Sequence, residues 1–489
     1  MRSAKTAPQE GTKPGSDFLY LDIAEAPPGG RTDWLAGRLR AAIADGRIPV
    51  GSRLPATRVL AADLGVSRGV VVEAYQRMVE EGQVAGRGRA GTVVVAAPAA
   101  PPVPAAAPAP TRLFPPAPGT DIFDAVRAAP ARIDLTPGVP DLAAFPREAW
   151  LRAERTVLRS LVAADFGYGD PRGAPALRRA VAAWLARYRG IVVDPAEVLV
   201  TTGVSQALGL LAQALRGVGV TRVAVEDPGS LGVRQHLNNW GVETPPVPVD
   251  SAGLRVDELA AGDVPAVMLT PAHQFPTGVV LDGGRRRRLA AWARAGGLVI
   301  EDDYDAEHRY DRPPVPALRA TLPEHVCYAG SVSKLLAPAL RIGWLLVPAR
   351  HRPAVVDARR NADLGNAVLP QLVLAELMTS GALERQLRLL RRRHVRRRDA
   401  MIAAIARHLP GATVHGAAAG LHLTVTLDSA VPDTELATAA LERGVKVQPL
   451  SWHRQRPGPP GLVLGYAANP ASAIEAGLAV LGEVRRRRP

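Results

Sequence analysis

Over the first hundred residues, apolar positions recur every three to four, the spacing of helices that bury one face. Trp34, Leu35, Leu39 and Ile43 predict a helix over residues 33–45, with Asp33 as N-cap and Gly46 as stop. A turn follows at Gly51-Ser52-Arg53-Leu54-Pro55, then a short helix over 56–64 ended by Gly65. The next helix, 67–82, takes Ser67 as N-cap and buries Val70, Val71, Ala74 and Met78. Two helices joined by the short turn Gly65-Val66 form a helix-turn-helix. Residues 83–95 alternate about Gly86-Arg87-Gly88-Arg89-Ala90-Gly91, which predicts a hairpin with a basic tip, a wing.

From residue 119 onward the pattern changes to helices alternating with short apolar strands, the mark of an α/β domain. Strands are expected at 197–201, 222–226, 266–270 and 297–301, and helices at 205–215 and 284–295. The strands lack alternation, so both faces are expected to be buried. The pattern resets around Leu421-His422-Leu423-Thr424-Val425-Thr426-Leu427, where a smaller terminal subdomain is expected. Between the two regions, residues 98–118 hold nine prolines among many alanines and read as a linker. Residues 1–18 are polar and read as a disordered tail. The expected domains are thus a tail, a winged helix-turn-helix unit over 19–97, a linker, and an α/β unit over 119–489.

Composition sharpens this. The 489-residue chain carries a net charge of +14, which suggests a polyanionic partner. Ten arginines against six acids fall within 31–97 alone. The arginine runs at 285–288, 391–393, 396–398 and 485–488 read as solvated helix faces or a tail. A single cysteine, Cys327, excludes an intramolecular disulfide and favours a reducing compartment. The N-terminus lacks an apolar signal core, and the uncharged run at 93–110 is too rich in proline for a membrane helix. A cytoplasmic protein with no membrane attachment is expected.

The chemistry centres on Lys334. Of 60 basic residues only Lys5, Lys13, Lys334 and Lys446 are lysines. A guanidinium cannot replace an amine that must lose its proton to form an imine. Ser331 and Ser333 precede Lys334, and Arg341 follows. Two hydroxyls and a guanidinium around one lysine suit a phosphate-bearing aldehyde, of which pyridoxal 5'-phosphate (PLP) is the common one. The alternative is a turn carrying a solvated lysine. Thr201-Thr202-Gly203-Val204-Ser205 ends a strand and opens a helix, where backbone N–H groups can hold phosphate. Val299-Ile300-Glu301-Asp302-Asp303-Tyr304 ends a strand in acids, where α/β sheets bind ligands.

Two resemblances follow from these motifs. Gly46-Arg47, Gly51-Ser52-Arg53-Leu54-Pro55, Arg58, Leu60-Ala61, Leu64-Gly65-Val66-Ser67-Arg68 and Gly91-Thr92-Val93-Val94 resemble, in order and spacing, the GntR family of winged-helix repressors. That resemblance implies double-stranded operator DNA as partner. The recognition helix would begin at Ser67, with Ser67, Arg68 and Gly69 at its start; Arg58 of the preceding helix would also contact DNA, and Arg87 and Arg89 would lie at the wing.

The later segments resemble fold-type-I PLP enzymes, the aspartate-aminotransferase-like fold with a small C-terminal α+β subdomain. The resemblance implies Lys334 as the imine-forming lysine, Asp302 beside the pyridine nitrogen and Tyr304 near the ring hydroxyl. Ser331, Ser333, Arg341, Gly203 and Val204 would cradle the phosphate, and Tyr168 would reach it from the other subunit of a homodimer. Both halves on one chain look like the MocR/GabR type of PLP-dependent transcription regulator, and Thr270-Pro271-Ala272-His273-Gln274-Phe275-Pro276-Thr277-Gly278 is close to its version of that loop.

Three departures stand out. Glu226-Asp227-Pro228-Gly229 is followed by Ser230 where the family has an aromatic ring. The strand at 462–466 has no arginine for a substrate carboxylate. Phe275 stands where aminotransferases have Asn. The expected function is a regulator sensing PLP or an amine that reacts with it. The alternatives are an aminotransferase with a DNA-binding appendage, or a DNA-binding scaffold that has lost PLP. No metal is expected.

Overall fold

A computed structural model of the chain describes residues 19–88, 91–96, 113–305, 307–310 and 315–487. The expected tail, Arg89 and most of the expected linker lie outside them. The chain divides into two compact units, Met1–Ala109 and Pro110–Pro489. No described helix is long and apolar enough to cross a membrane.

Among the described residues the first unit holds three α-helices, α1 (Arg31–Ala44), α2 (Thr57–Asp63) and α3 (Arg68–Glu80), and an antiparallel hairpin of β1 (Val84–Gly86) and β2 (Thr92–Val94). Its core joins Leu35, Leu39 and Ile43 of α1 to Leu60 of α2, Val71 and Met78 of α3, and Val84 and Val94 of the hairpin. Asp33 is not the N-cap of α1; Gly30 is, and Asp33 sits in the first turn. A carboxylate there is favoured by the helix dipole, and it pairs with Arg77 of α3. On α3 the fourth inward residue is Tyr75, not Val70, which is only partly buried. The Tyr75 ring completes the apolar stripe, and its hydroxyl donates to the Pro55 carbonyl at 3.0 Å.

The second unit is built on an eight-stranded sheet. Its strands are β3 (Leu199–Thr201), β4 (Ala224–Asp227), β5 (Pro246–Asp250), β6 (Gly253–Leu254), β7 (Ala266–Leu269), β8 (Leu298–Asp303), β9 (Val326–Ser331) and β10 (Gly343–Leu346). They lie in the order β3-β10-β9-β8-β7-β4-β5-β6. The stretch β9-β8-β7-β4-β5 is parallel, while β10 runs against both its neighbours and β6 against β5. Every residue of β4, β7, β8 and β9 is buried, as the unbroken apolar runs predict. A smaller antiparallel sheet in the order β11-β12-β14-β13 comprises β11 (Thr413–His415), β12 (His422–Thr426), β13 (Gln448–Pro449) and β14 (Gly461–Gly465).

Helices relevant to the site are α4 (Ile122–Ala128), α5 (Val204–Gly217), α6 (Leu231–Asn239) and the long α7 (Ala382–His408). Residues 113–118 were expected in the linker, yet they pack on this unit. Phe114 is fully buried, 5.5 Å from the Trp452 ring, and Trp452 donates to the Pro115 carbonyl. An aromatic side chain that can reach an apolar surface outweighs the extended preference of the prolines around it. The arginine runs are also less solvated than expected. Arg397 is buried and pairs with the buried Asp141 at 2.9 Å, and Arg285 pairs with Asp250 at 2.6 Å.

Candidate functional site

In the first unit, Ser67 is the N-cap of α3, with extended backbone and a hydroxyl that makes no capping bond. Ser67, Arg68 and Gly69 are exposed, as are Arg58 and Arg87. Arg38, Arg40, Arg47 and Arg77 each meet a carboxylate. Among the described residues, Arg58, Arg68 and Arg87 meet none; Arg68 makes only a 3.4 Å contact to the Thr57 hydroxyl. Arginines without acids around a helix N-terminus and a wing are free to meet phosphate or base edges. Arg53 joins them. A Cβ on Gly91 of the wing would stand 2.7 Å from its Nε, so the Arg53 guanidinium lies along the hairpin. Its place in the turn before α2 is the sequence signal for that position.

In the second unit, the carboxyl ends of β4, β7 and β8 border a cavity of about 310 Å³, which Lys334, Asp302 and Tyr304 line together. Parallel strands leave such a crevice at their C-terminal edge. Three successive acids end β8, and each has a different fate. Asp303 pairs with the buried Arg189 and accepts from the Tyr328 hydroxyl. Glu301 accepts the backbone N–H groups of Leu318 and Arg319, both at 3.0 Å. Asp302 points to the other face by strand alternation, and its buried Oδ1 has no partner. Burial, with Asp303 and Asp305 nearby, pushes its carboxyl up to about 7. A buried, unpartnered carboxylate oxygen costs stability unless a ligand donor meets it, and a protonated pyridine nitrogen is such a donor.

Lys334 donates to the backbone carbonyl of Gly138. Burial lowers the pKa of its ammonium, which favours the neutral amine that attacks an aldehyde; Asp305 and Asp302 oppose this. The Tyr304 hydroxyl lies 3.0 Å from Nδ1 of His273, which also meets Asp305 at 2.9 Å. Glu226 at the end of β4 is pushed up to about 7 by burial, although Thr270 donates to it through both N–H and hydroxyl.

The remaining expected residues gather at one place beside the lysine turn. Gly203 caps α5 with φ 107°, a backbone shape that favours glycine. A Cβ on it would stand 3.5 Å from both terminal nitrogens of Arg341. Ser331 pairs across the sheet with Gly343, and a Cβ on Gly343 would stand 2.9 Å from the Gly203 Cα. Ser333 donates its N–H to the Ser331 hydroxyl at 3.4 Å. Among the described residues the Arg341 guanidinium has no acid partner. A helix N-terminus opening at Val204, two serines and a guanidinium without an acid partner are the groups that a phosphate needs. Tyr168 stands apart, 97% exposed, with Phe166 and Val162 also exposed beside it.

Sequence reasoning missed Gly138, Phe123 and the histidines His273, His422 and His453. Only the run Pro137-Gly138-Val139-Pro140 offered a signal, as a turn. Burial pushes His422 down to about 4 and His453 to about 3, so both enter the cavity wall uncharged. Ser230 lines the cavity too, but its hydroxyl caps α6 by accepting from Val233 N–H at 3.3 Å.

Comparison with known proteins agrees with both units. The family of gntR bacterial regulatory proteins matches residues 32–94, and aminotransferase class I and II matches 132–459. MocR of Rhizobium meliloti, named a probable rhizopine catabolism regulatory protein, is 32% identical, covering 90% of this chain and 91% of its own. PdxR of Corynebacterium glutamicum, an HTH-type pyridoxine biosynthesis transcriptional regulator, is 31% identical over 92% of this chain and 94% of its own. Among solved structures, the kynurenine aminotransferase of Pyrococcus horikoshii in complex with PMP shares 26% identity, with a TM-score of 0.69 over 75% of this chain and 93% of that one. LysN of Thermus thermophilus, an alpha-aminoadipate aminotransferase complexed with N-(5'-phosphopyridoxyl)-L-leucine, shares 27%, with a TM-score of 0.68 over 76% of this chain and 95% of that one. The chain belongs to the MocR/GabR type of HTH transcription regulators, in which a DNA-binding GntR winged helix and an aminotransferase-like domain share one polypeptide.

Proposed function

We propose that this regulator holds PLP on Lys334 and changes its operator affinity with the occupancy or chemical state of that site. The observation that carries the reading is that Lys334 and Asp302, with its unpartnered Oδ1, line one cavity. In this reading Asp302 keeps the pyridine nitrogen protonated, Tyr304 faces the ring hydroxyl, and Gly203, Val204, Ser331, Ser333 and Arg341 hold the phosphate. Bound PLP supplies an electrophilic carbon and an electron sink. Arg58, Ser67, Arg68, Gly69 and Arg87 contact operator DNA, and so does Arg89, which lies outside the described residues.

The effector is PLP itself or a small amine exchanging with its imine. Among the described residues no arginine lines the cavity, and the nearby Tyr466 hydroxyl donates to the Gly420 carbonyl at 2.7 Å. A wall without a guanidinium supports sensing over turnover of amino acids, whose carboxylate needs such a partner. The protein acts in the cytoplasm as a homodimer, in which Tyr168 crosses to the partner's site; its full exposure on a single chain supports this.

The test is to titrate labelled operator with apo protein, PLP-bound protein and Lys334→Ala at one salt concentration. A coupling of about 1–3 kcal/mol is expected, roughly 5–150-fold in affinity. Three superimposable curves would refute sensing. Absence of a borohydride-reducible yellow species would refute PLP binding.

A further inference from the structure

The family's stacking ring is missing at position 230, and Ser230 is committed to capping α6. An aromatic side chain nevertheless reaches the same wall. Phe123, on α4, lines the cavity beside Ser230 and Gly232. A Cβ on Gly232 would stand 3.5 Å from Phe123 Cε2 and 3.9 Å from the Ser230 hydroxyl. The Phe123 ring thus lies against the first turn of α6, next to the place a ring at 230 would occupy.

Phe123 is also joined to something else. Its ring packs edge-on against Trp452, with centroids 6.5 Å apart, and Trp452 in turn packs on Phe114 at 5.5 Å. Phe114 and Phe123 flank the first stretch of this unit, the stretch through which the chain continues to the winged helix. The Trp452 indole N–H holds that stretch at Pro115, and Gln235 of α6 holds it at the Gly119 carbonyl, 2.7 Å away. Phe123 and the residues that hold this stretch thus share one partner, Trp452.

Building on the PLP reading above, we propose that Phe123 supplies the aromatic wall against the PLP ring in place of position 230. Through Trp452, the same residue ties occupancy of the site to the anchor at Phe114. The ligand-facing ring and the attachment point of the DNA-binding unit then belong to one short segment, residues 113–128.

The experiment compares wild type, Phe123→Ala, Phe123→Trp and the double variant Phe123→Ala/Ser230→Tyr as full-length chains, with thermal melting to confirm folding. PLP affinity is read from visible absorption and induced circular dichroism, and amide hydrogen exchange is followed over residues 113–128. Phe123→Ala is expected to bind PLP about 10-fold more weakly, the worth of one aromatic contact. Phe123→Trp and the double variant should recover most of that loss. PLP should slow exchange over 113–128 in the wild type and leave it unchanged in Phe123→Ala. Wild-type affinity in Phe123→Ala would overturn the proposal. So would failure of both aromatic variants to recover binding, or wild-type exchange indifferent to PLP. A wild type that binds no PLP at all would refute the underlying reading itself.

Discussion

The amine of Lys334 donates to the carbonyl of Gly138, 196 positions away in sequence. Gly138 has φ 85°, and a Cβ there would stand 3.2 Å from Nζ. Lys334→Ala should abolish the visible absorption band of bound PLP while leaving the fold intact. Gly138→Ala should keep the band but lower PLP affinity several-fold, because both the backbone shape and the space for the amine suffer. Absorbance titrations read both. A band that survives Lys334→Ala would sink the imine assignment.

Asp302 gives a pH prediction. Burial raises its carboxyl from the ordinary 3.8 to about 7 in the folded chain. Between those values the folded chain holds a proton the unfolded chain has released, so stability falls as pH rises through that window. Asp302→Asn removes this cost. The apo variant should match wild type near pH 4 and exceed it above pH 7, by about 1–3 kcal/mol in urea unfolding, while binding PLP more weakly. Equal stabilities at pH 8 would contradict the idea that Asp302 is held at a cost for a ligand.

Asp303, one residue on, predicts the reverse. It is buried against Arg189, whose Nε lies 2.5 Å away. Arg189→Met leaves that carboxylate uncompensated and should cost roughly 3–5 kcal/mol of stability. A loss below 1 kcal/mol in denaturant melts would show that the pair is not structural.

For DNA, Arg68→Ala should weaken operator binding by about 1–3 kcal/mol and relax specificity at one position if Arg68 reads a base. An even loss over all sequences with a shallower salt slope would make it a phosphate contact. Arg77→Ala serves as control, since Arg77 is engaged by Asp33 and Glu73. Fluorescence anisotropy at fixed salt reads both variants. No effect of Arg68→Ala would refute the placement of the recognition helix.

Tyr168, Phe166 and Val162 predict a dimer. Light scattering at micromolar concentration with PLP should give twice the chain mass, and Phe166→Asp should shift it toward the monomer. A monomeric mass for the wild type would contradict the interface.

The winged helix was legible because its signals are local. Gly65-Val66-Ser67-Arg68 sets a turn and a helix start without help from distant residues. Lys334 and Asp302 were legible for a related reason: an amine among arginines, and acids ending an apolar strand, are anomalies in their own segments. Strand alternation explains why Asp302 alone is left for a ligand, since Glu301 and Asp303 share the opposite face. Asp33, by contrast, was misread as a cap because its partner Arg77 lies on another helix. Phe114 and Phe123 were hidden for the same kind of reason. Nothing near them in sequence announces Trp452, and proline-rich surroundings argued for a tether where an anchor stands.

The scarcity of lysine has a consequence for chemical labelling. Of the four lysines, Lys5 and Lys13 lie outside the described residues. Lys446 is buried, donates to the carbonyls of Val126 and Ala129, and pairs with Asp134 at 3.0 Å. Its amine is fully occupied as a donor and poorly placed to attack a carbonyl. An aldehyde that enters the second unit therefore meets one competent amine. Reductive trapping followed by peptide mass mapping would therefore report, within the second unit, on Lys334 alone.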